Sequence, residues 1–228
     1  METKKAVVFT GHWSDDEKID NLPKPGPEDF VVCADGGYLL CVSAGIKPDV
    51  VIGDFDSLSL EQTAQIDELG IDRIVYPQEK SETDTLLCVK YGMSLGFEKF
   101  LIVGGIGGDF GHTIANLQVL SFLTDMRCEA EIITKSERLM LADGETLSVH
   151  REPIPAVPLL INGISGAKFS VLSYAERSSG VNIENAKYEL KDAVLTQSYP
   201  IGVSNEFIEK KTTKISVRYG RLLVIVNR

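Results

Sequence analysis

Three aspartates directly follow two short apolar runs, and their side chains are of the type that binds cations. Asp35 follows the run Val-Val-Cys-Ala, whereas Asp54 and Asp56 follow the run Val-Val-Ile-Gly. Because residues 54 and 56 alternate, an extended backbone points both carboxylates in the same direction. Such carboxylates repel each other unless a cation lies between them. Magnesium prefers oxygen ligands, and its coordination shell usually includes water and substrate phosphates beside the carboxylates. The alternative is a loop of solvated aspartates that only ends the strands. Three acids at two strand ends, with glycines between them, favour the metal site.

A second acidic segment, residues 78–85, precedes a predicted helix. Thr83 or Ser81 can cap that helix, and a carboxylate at its start, Asp84, is favoured by the helix dipole. The alternative makes Asp84 a third carboxylate that faces the metal or the nucleophile, with Lys80 beside it for a phosphate. The local sequence leaves both readings open.

A glycine-rich segment follows the strand predicted at residues 99–103. It is neither the dinucleotide-binding fingerprint, whose last glycine would fall on Phe110, nor a Walker-type phosphate loop, since no Gly-Lys-Ser/Thr occurs. Five glycines in eight residues at a strand-to-helix junction favour a ligand-binding loop, because glycine lets backbone amides approach a ligand closely. On the next predicted helix, His112 and Asn116 are four residues apart and share one face. We expect a site role for Asn116 and leave His112 open between a site role and capping. The glycines are Gly104, Gly105, Gly107, Gly108 and Gly111.

The elements that must position these residues alternate between strand and helix. A short helical segment joins the two apolar runs, which predicts parallel strands. Ligands of such sheets bind beyond the carboxyl ends of the strands, where Asp35, Asp54 and Asp56 fall together. The predicted strands are 5–10, 31–34, 50–53, 73–76, 99–103 and 131–134.

The pattern changes after residue 136. Short strands are predicted at 139–149, 159–162, 167–174, 188–195 and 214–226, with hairpin signals at Asp143-Gly144 and Tyr219-Gly220. We therefore expect an α/β domain, residues 1–136, with a mostly parallel sheet and flanking helices. A smaller all-β domain, residues 137–228, should follow as a sandwich or a barrel-like fold.

Composition excludes several classes of function. The net charge of −10 argues against a nucleic-acid partner, which needs a basic face. No run approaches the roughly 18 apolar residues of a membrane helix. The apolar patch near the start is too short for a signal peptide and is typical of a first strand, so we expect a cytoplasmic protein. The four cysteines form no Cys-x-x-Cys pair and have no histidine at zinc spacing.

Taken together, these motifs resemble the thiamine pyrophosphokinase (thiamine diphosphokinase) family. Their order and spacing match over nearly the whole chain, and Gly-Asp-Phe-Asp-Ser-Leu with a distant Ser-Asn-Glu is a specific pair of signals. The matching segments are Ala34-Asp35-Gly36-Gly37, residues 53–58, Lys80 with Thr83-Asp84, the glycine loop leading to His112 and Asn116, Tyr188-Glu189-Leu190, and residues 202–207.

The resemblance implies an enzyme that transfers a pyrophosphoryl group from ATP to the hydroxyl of thiamine, giving thiamine diphosphate and AMP. It implies magnesium, ATP as co-substrate, and a homodimer whose thiamine pocket lies where two subunits meet. By resemblance, Asp54, Asp56 and Asp84 are the catalytic and metal-binding residues, and Ser204 and Asn205 contact thiamine. Asp84 is the candidate acceptor of the thiamine proton. The nucleotide would be bordered by Asp35, Gly36, Lys80, Thr83, Gly104, Gly105, Gly107, Gly108 and Asn116.

The sequence also departs from the family pattern. Asp109 replaces the arginine of the usual Gly-Gly-Arg-x-Asp-His, Gly111 replaces its acid, and Leu86 stands where glutamate is frequent. A charge-assisted hydrogen bond is worth roughly 1.5–3 kcal/mol, so loss of the arginine could cost on the order of ten- to a hundredfold in rate or affinity. Two alternatives therefore stay open. One is a pyrophosphokinase for another hydroxymethyl heterocycle such as a pterin, against which the retained Ser204-Asn205-Glu206 argues. The other is a thiamine- or nucleotide-binding regulator without catalysis.

Overall fold

A computed structural model describes residues 4–13, 22–147, 153–163 and 166–228. The chain divides into two compact units, Met1–Lys135 and Ser136–Arg228. Each unit encloses its own cluster of buried apolar side chains. No helix in the described ranges is long and apolar enough to cross a membrane.

The first unit is a parallel sheet with helical connections, which confirms the predicted α/β architecture. Within this unit the strand order is β6-β5-β1-β2-β3-β4, and each neighbouring pair is parallel. Every residue of β1 and β3 is buried, as expected for central strands that are covered on both faces. The strands are β1 (Ala6–Phe9), β2 (Phe30–Ala34), β3 (Val50–Gly53), β4 (Asp72–Val75), β5 (Lys99–Val103) and β6 (Glu129–Ile133). The helices are α1 (Gly37–Ser43), α2 (Leu60–Glu68), α3 (Asp84–Ser94) and α4 (Phe110–Asp125).

Strand β1 marks the point where the chain changes direction across the sheet. It pairs with β2 on one side and with β5 on the other, although β5 comes much later in the chain. Open α/β sheets bind their ligands outside the carboxyl ends of the strands at such a switch point. The fold therefore places the ends of β1, β2, β3 and β5 around one crevice.

Side-chain caps fix where three of the helices begin. Ser59 and Gln62 form a reciprocal capping box on α2. Thr83, one of the two predicted candidates, accepts a hydrogen bond from the Leu86 amide at 3.3 Å and caps α3. Asp109 accepts one from the His112 amide at 2.9 Å and caps α4. Each of these bonds satisfies a backbone donor that the first helical turn leaves free.

The second unit is all-β and antiparallel, as predicted. One sheet has the order β14-β11-β16-β7 and another the order β10-β15-β12-β13, while β8 and β9 form a short ladder. Phe169 and Val224 of the first sheet share a buried cluster with Val181 and Ile215 of the second, so the two sheets pack as a sandwich. The strands are β7 (Glu137–Asp143), β8 (Thr146–Leu147), β9 (Pro153–Ile154), β10 (Leu159–Asn162), β11 (Lys168–Ser173), β12 (Arg177–Glu184), β13 (Leu190–Thr196), β14 (Asn205–Glu206), β15 (Thr212–Ser216) and β16 (Arg221–Asn227).

Several predictions of detail in the second unit were wrong. The strand predicted at 214–226 is two strands, β15 and β16, which belong to different sheets, so Tyr219-Gly220 joins two sheets and is not a hairpin turn. Asp143-Gly144 is not one either, because β7 pairs with β16. Strand β12 was missed because Gly180, at φ +67°, interrupts the apolar alternation, and the register shifts there. The end of the strand predicted at 139–149 lies outside the described residues.

Candidate active site

The crevice at the carboxyl ends of the first unit's strands is a cavity of about 620 Å³. It is bordered by the residues that follow β1, β2, β3 and β5, and by the first turns of α3 and α4. Gly104 belongs to the same loop, packed against the backbone carbonyl of His12. The predicted site residues that line the cavity are Asp35, Gly36, Asp54, Asp56, Lys80, Thr83, Asp84, Gly105, Gly107, Gly108 and Asn116.

Asp35, Asp54 and Asp56 converge in this cavity. Each offers a carboxylate oxygen, and these oxygens lie within 4.8 Å of one another. Asp35 is buried, and its Oδ1 accepts no hydrogen bond from any residue that the structure describes. A buried carboxylate oxygen without a partner is costly unless a cation compensates it. An all-oxygen donor set with such an atom therefore fits a magnesium ion.

The backbone brings the ends of β2 and β3 unusually close together. Asp35 has φ +42° and Phe55 has φ +64°, a left-handed conformation that is uncommon for residues other than glycine. A Cβ atom on Gly53 would lie 2.8 Å from Cβ of Asp35. Only glycine fits at position 53, and this close approach sets the spacing of the aspartates.

Lys80 connects Asp54 to Asp84. Its Nζ lies 2.9 Å from Oδ2 of Asp54 and 3.2 Å from Oδ1 of Asp84. The hydrogen bond from Lys80 is the main cause that lowers the pKa of Asp54 below its ordinary value. Burial raises the pKa of Asp84, and Lys80 only partly opposes this. Burial alone would lower the pKa of Lys80, but the hydrogen bond to Asp54 and the nearby charge of Asp84 outweigh it and raise that pKa.

The structure brings Asp35 together with Asp54 and Asp56, as their places at two neighbouring strand ends predict. Asp84, which the resemblance assigns to the metal with Asp54 and Asp56, instead faces Lys80. Gln78 was not identified from the sequence, yet its Nε2 donates to Oδ2 of Asp56 at 2.9 Å. Lys80 and Gln78 both come from the loop between β4 and α3, and no local pattern indicates their partners.

The glycine loop is held by side chains of α4. Nδ2 of Asn116 donates to the carbonyl of Gly105 at 2.7 Å, and Oγ1 of Thr113 accepts from the amide of Gly107 at 3.0 Å. A Cβ on Gly105 would lie 2.6 Å from Nδ2 of Asn116. In this structure Asn116 therefore positions the loop, and the loop borders the cavity.

His12, which follows β1, lies over the same loop. A Cβ on Gly107 would be 2.6 Å from its Nε2, so the imidazole covers the glycine backbone from the β1 side. The backbone carbonyl of His12 accepts a hydrogen bond from the amide of Gly105 at 2.7 Å. His112 also lines the cavity. The importance of His12 depends on β5 lying beside β1, which the order of the chain does not reveal.

Asp109 and Gly111, which replace the arginine and the acid of the usual Gly-Gly-Arg-x-Asp-His, fit together sterically. Asp109 caps α4, and a Cβ on Gly111 would lie 3.0 Å from Oδ1 of Asp109. A side chain at position 111 would therefore crowd the capping carboxylate.

In the second unit, Asn205 is buried and uses its side chain locally. Its Nδ2 donates to the carbonyl of Tyr188 at 2.7 Å, and its Oδ1 accepts from the amides of Tyr188 at 3.1 Å and Glu206 at 2.8 Å. Ser204 is exposed, has φ +61°, and its amide donates to Oγ of Ser170. Asn205, which follows Ser204 in the chain, therefore holds the backbone of the exposed Tyr188.

Comparison with known proteins gives one family throughout. Residues 26–133 match the family model "Thiamin pyrophosphokinase, catalytic domain", and residues 161–222 match "Thiamin pyrophosphokinase, vitamin B1 binding domain". The thiamine pyrophosphokinase of Bacillus subtilis is 23% identical over 191 residues, which is 84% of this chain and 84% of its own. Thiamine pyrophosphokinase 1 of Oryza sativa subsp. japonica is 23% identical over 179 residues, 75% of this chain and 62% of its own.

Solved structures share the fold. The crystal structure of the Bacillus subtilis thiamine pyrophosphokinase superposes with a TM-score of 0.81 at 19% identity, covering 99% of each chain. The yeast thiamin pyrophosphokinase gives a TM-score of 0.75 at 15% identity, covering 100% of this chain and 87% of its own. The likeness extends over both units of the chain.

Proposed function

This chain belongs to the thiamine pyrophosphokinase family, and we propose that it transfers the pyrophosphoryl group of ATP to the hydroxyl of thiamine. The oxygen of that hydroxyl attacks the β-phosphorus of ATP, and the bond from this phosphorus to the α,β-bridging oxygen breaks. The products are thiamine diphosphate and AMP. The observation that carries the proposal is the convergence of Asp35, Asp54 and Asp56 in one cavity with Lys80 and the glycine loop.

The cavity supplies what a triphosphate needs. Pyrophosphoryl transfer depends on positioning and on charge stabilisation more than on covalent help from the protein. We assign Asp35, Asp54 and Asp56 to a magnesium ion, which when bound would neutralise charge on the polyphosphate. Lys80 is the nearby cation for a phosphate oxygen, and the glycine loop with Thr83 and Gly36 borders the nucleotide.

Asp84 is the proposed acceptor of the thiamine proton. It lines the cavity, and burial raises its pKa, which makes a carboxylate a better base near neutral pH. The alternative role of Asp84, as a metal ligand, requires that Lys80 release it. The position of Asp84 in the cavity fits either role, proton acceptor or metal ligand.

We assign thiamine binding to the second unit, around Ser204 and Tyr188. Asn205 then acts by holding Tyr188 in place, and it need not contact the vitamin directly. We further propose a homodimer in the cytoplasm, with the thiamine pocket at the subunit interface. Sedimentation equilibrium with and without thiamine would test the dimer.

The test of the function is AMP release. The protein is incubated with magnesium and ATP, alone and with either thiamine or a hydroxymethyl pterin, and AMP and the diphosphate product are quantified by chromatography. We expect AMP in equal amount to thiamine diphosphate, and only with thiamine. If AMP forms only with the pterin, the acceptor is the pterin and not thiamine. No AMP together with tight thiamine binding would make the protein a regulator.

A further inference from the structure

Lys80 forms an ion pair with a carboxylate of the candidate metal site. Its Nζ is 2.9 Å from Oδ2 of Asp54, and Asp54 is one of the three acids that converge. The side chains of Lys80 and Asp54 are only 14% and 13% exposed, so water screens this pair weakly. The ammonium makes a second contact, to Oδ1 of Asp84 at 3.2 Å.

The surrounding charges give Lys80 a special position. Among the described residues that line the cavity, it is the sole lysine or arginine, and the lining includes six acids. Glu82 is paired with Lys90 at 2.7 Å, Asp109 caps α4, and Asp56 is held by Gln78. The acids that remain for the ammonium to neutralise are Asp54 and Asp84, with Asp35 close by.

A divalent ion placed among Asp35, Asp54 and Asp56 would lie within a few ångströms of this ammonium. Two cations at such a separation repel strongly in a partly buried site, and both need the charge of Asp54. The phosphates of a nucleotide offer Lys80 another anionic partner in the same cavity. Transfer of Lys80 from Asp54 to a phosphate would free the carboxylate for the metal.

We propose that Lys80 is a positioning residue that couples metal binding to nucleotide binding. In the free protein it occupies Asp54 and weakens the affinity for divalent cations, and it releases Asp54 when a polyphosphate enters the cavity. The inference rests on the proposed function, because it assumes that metal and polyphosphate share this cavity. By linkage, the nucleotide then raises the metal affinity as much as the metal raises the nucleotide affinity.

The experiment measures Mn²⁺ binding to the protein without nucleotide, by the electron paramagnetic resonance signal of free Mn²⁺. Lys80→Met should bind Mn²⁺ more tightly than the wild type, on the order of tenfold, which is within the usual range of coupling between sites. Lys80→Arg keeps the charge and should restore the weak wild-type affinity. Lys99→Met removes an ion-paired lysine at the start of β5, outside the cavity lining, and should leave the affinity unchanged.

The same variants are then titrated with an unreactive ATP analogue in the presence of EDTA. We expect Lys80→Met to bind the analogue at least tenfold more weakly, because its phosphates lose their cation. Circular dichroism establishes that each variant is folded, and Lys80→Gln replaces Lys80→Met if the latter does not fold. Unchanged or weaker Mn²⁺ binding by the folded neutral variant overturns the coupling. AMP formation by the wild type tests the proposed function separately. Failure of the coupling by Lys80 and failure of the proposed function are therefore distinguishable.

Discussion

Asp35 combines three features that each cost folding free energy. Its backbone is in the left-handed region, its side chain is buried, and its Oδ1 accepts no hydrogen bond from the described residues. Two further carboxylates lie within 4.8 Å. Proteins retain such costs at functional positions, where a ligand compensates them.

Asp35→Asn should therefore stabilise the metal-free protein. Asparagine tolerates the left-handed region, and the substitution removes the repulsion from Asp54 and Asp56. We expect the free energy of unfolding to rise by about 0.5–2 kcal/mol in urea titrations, while Mn²⁺ affinity in the presence of nucleotide falls at least about tenfold. Asp72→Asn, at an exposed position of the edge strand, is the matched control and should change neither quantity. A less stable Asp35→Asn with normal metal affinity would remove Asp35 from the site.

The pair of Lys80 and Asp54 predicts a pH-dependent contribution to stability. The lowered pKa of Asp54 means that its contribution is complete above the ordinary carboxyl value of 3.8 and is lost as pH falls through the lowered pKa. The raised pKa of Lys80 means that its contribution is present below 10.5 and is lost as pH rises through the raised pKa. We expect Lys80→Met to be less stable than the wild type by about 1.5–3 kcal/mol between these limits, and the difference to shrink at both extremes.

Guanidinium titrations at several pH values would measure this difference. Lys90→Met removes an exposed ion pair with Glu82 and should cost less than about 1 kcal/mol at any pH. A difference between Lys80→Met and the wild type that does not shrink as pH falls through the lowered pKa of Asp54 would show that the ion pair contributes nothing to folding.

At the scale of the elements, the spacing of the acids depends on how closely β2 and β3 end. Gly53→Ala would place a Cβ atom 2.8 Å from Cβ of Asp35 and 3.2 Å from its Cα, so the two strand ends must separate. We expect a loss of about 1–3 kcal/mol in stability, together with weaker metal binding. Gly26→Ala meets its nearest neighbour at an ordinary 3.6 Å and is the matched control. Thermal unfolding and Mn²⁺ titration measure both effects, and a Gly53→Ala variant that behaves like the control would contradict this account of the spacing.

The cap of α4 gives a second prediction at this scale. Asp109→Ala removes the acceptor for the amide of His112 and should cost about 0.5–2 kcal/mol, whereas Asp109→Ser retains a cap and should cost less. Asp109→Arg restores the family's residue and also loses the cap, so we expect lower stability from it. Urea titration of the three variants measures the order, and equal stability of all three would show that the cap does not contribute.

The strands were predicted best where an apolar run is followed by an acidic residue with a glycine next to it. The strands before Asp35 and Asp54 lie close to their predicted positions, and Thr83 caps α3 as one of two candidates. The strand predictions failed where a glycine allows two distant segments of the chain to pack closely. Gly180 interrupts β12 within a strand, and Gly220 lies where a Cβ would meet the carbonyl of Arg177 at 2.6 Å. Strand β12 was therefore missed and Gly220 was predicted to lie in a hairpin turn, because a close approach between distant segments leaves no local signal.

For the whole molecule, the sequence identified most of the candidate site residues but not which of them contact one another in the fold. The aspartates, Lys80 and the glycine loop were identified as candidates before their positions were known. That β5 lies beside β1, which brings the loop and His12 together, depends on the order of strands in the sheet. The same limit explains why Gln78, which donates to Asp56, was missed.

The central claim is that carboxylates from the ends of β2 and β3 bind one divalent cation together with a nucleotide. Its most direct test is a crystal structure with Mn²⁺, thiamine and an unreactive ATP analogue, in which anomalous scattering locates the metal. We expect an anomalous peak about 2.1 Å from carboxylate oxygens of Asp35, Asp54 and Asp56, with a phosphate oxygen in the same coordination shell. A nucleotide bound in the cavity with its metal out of reach of these aspartates would contradict the account.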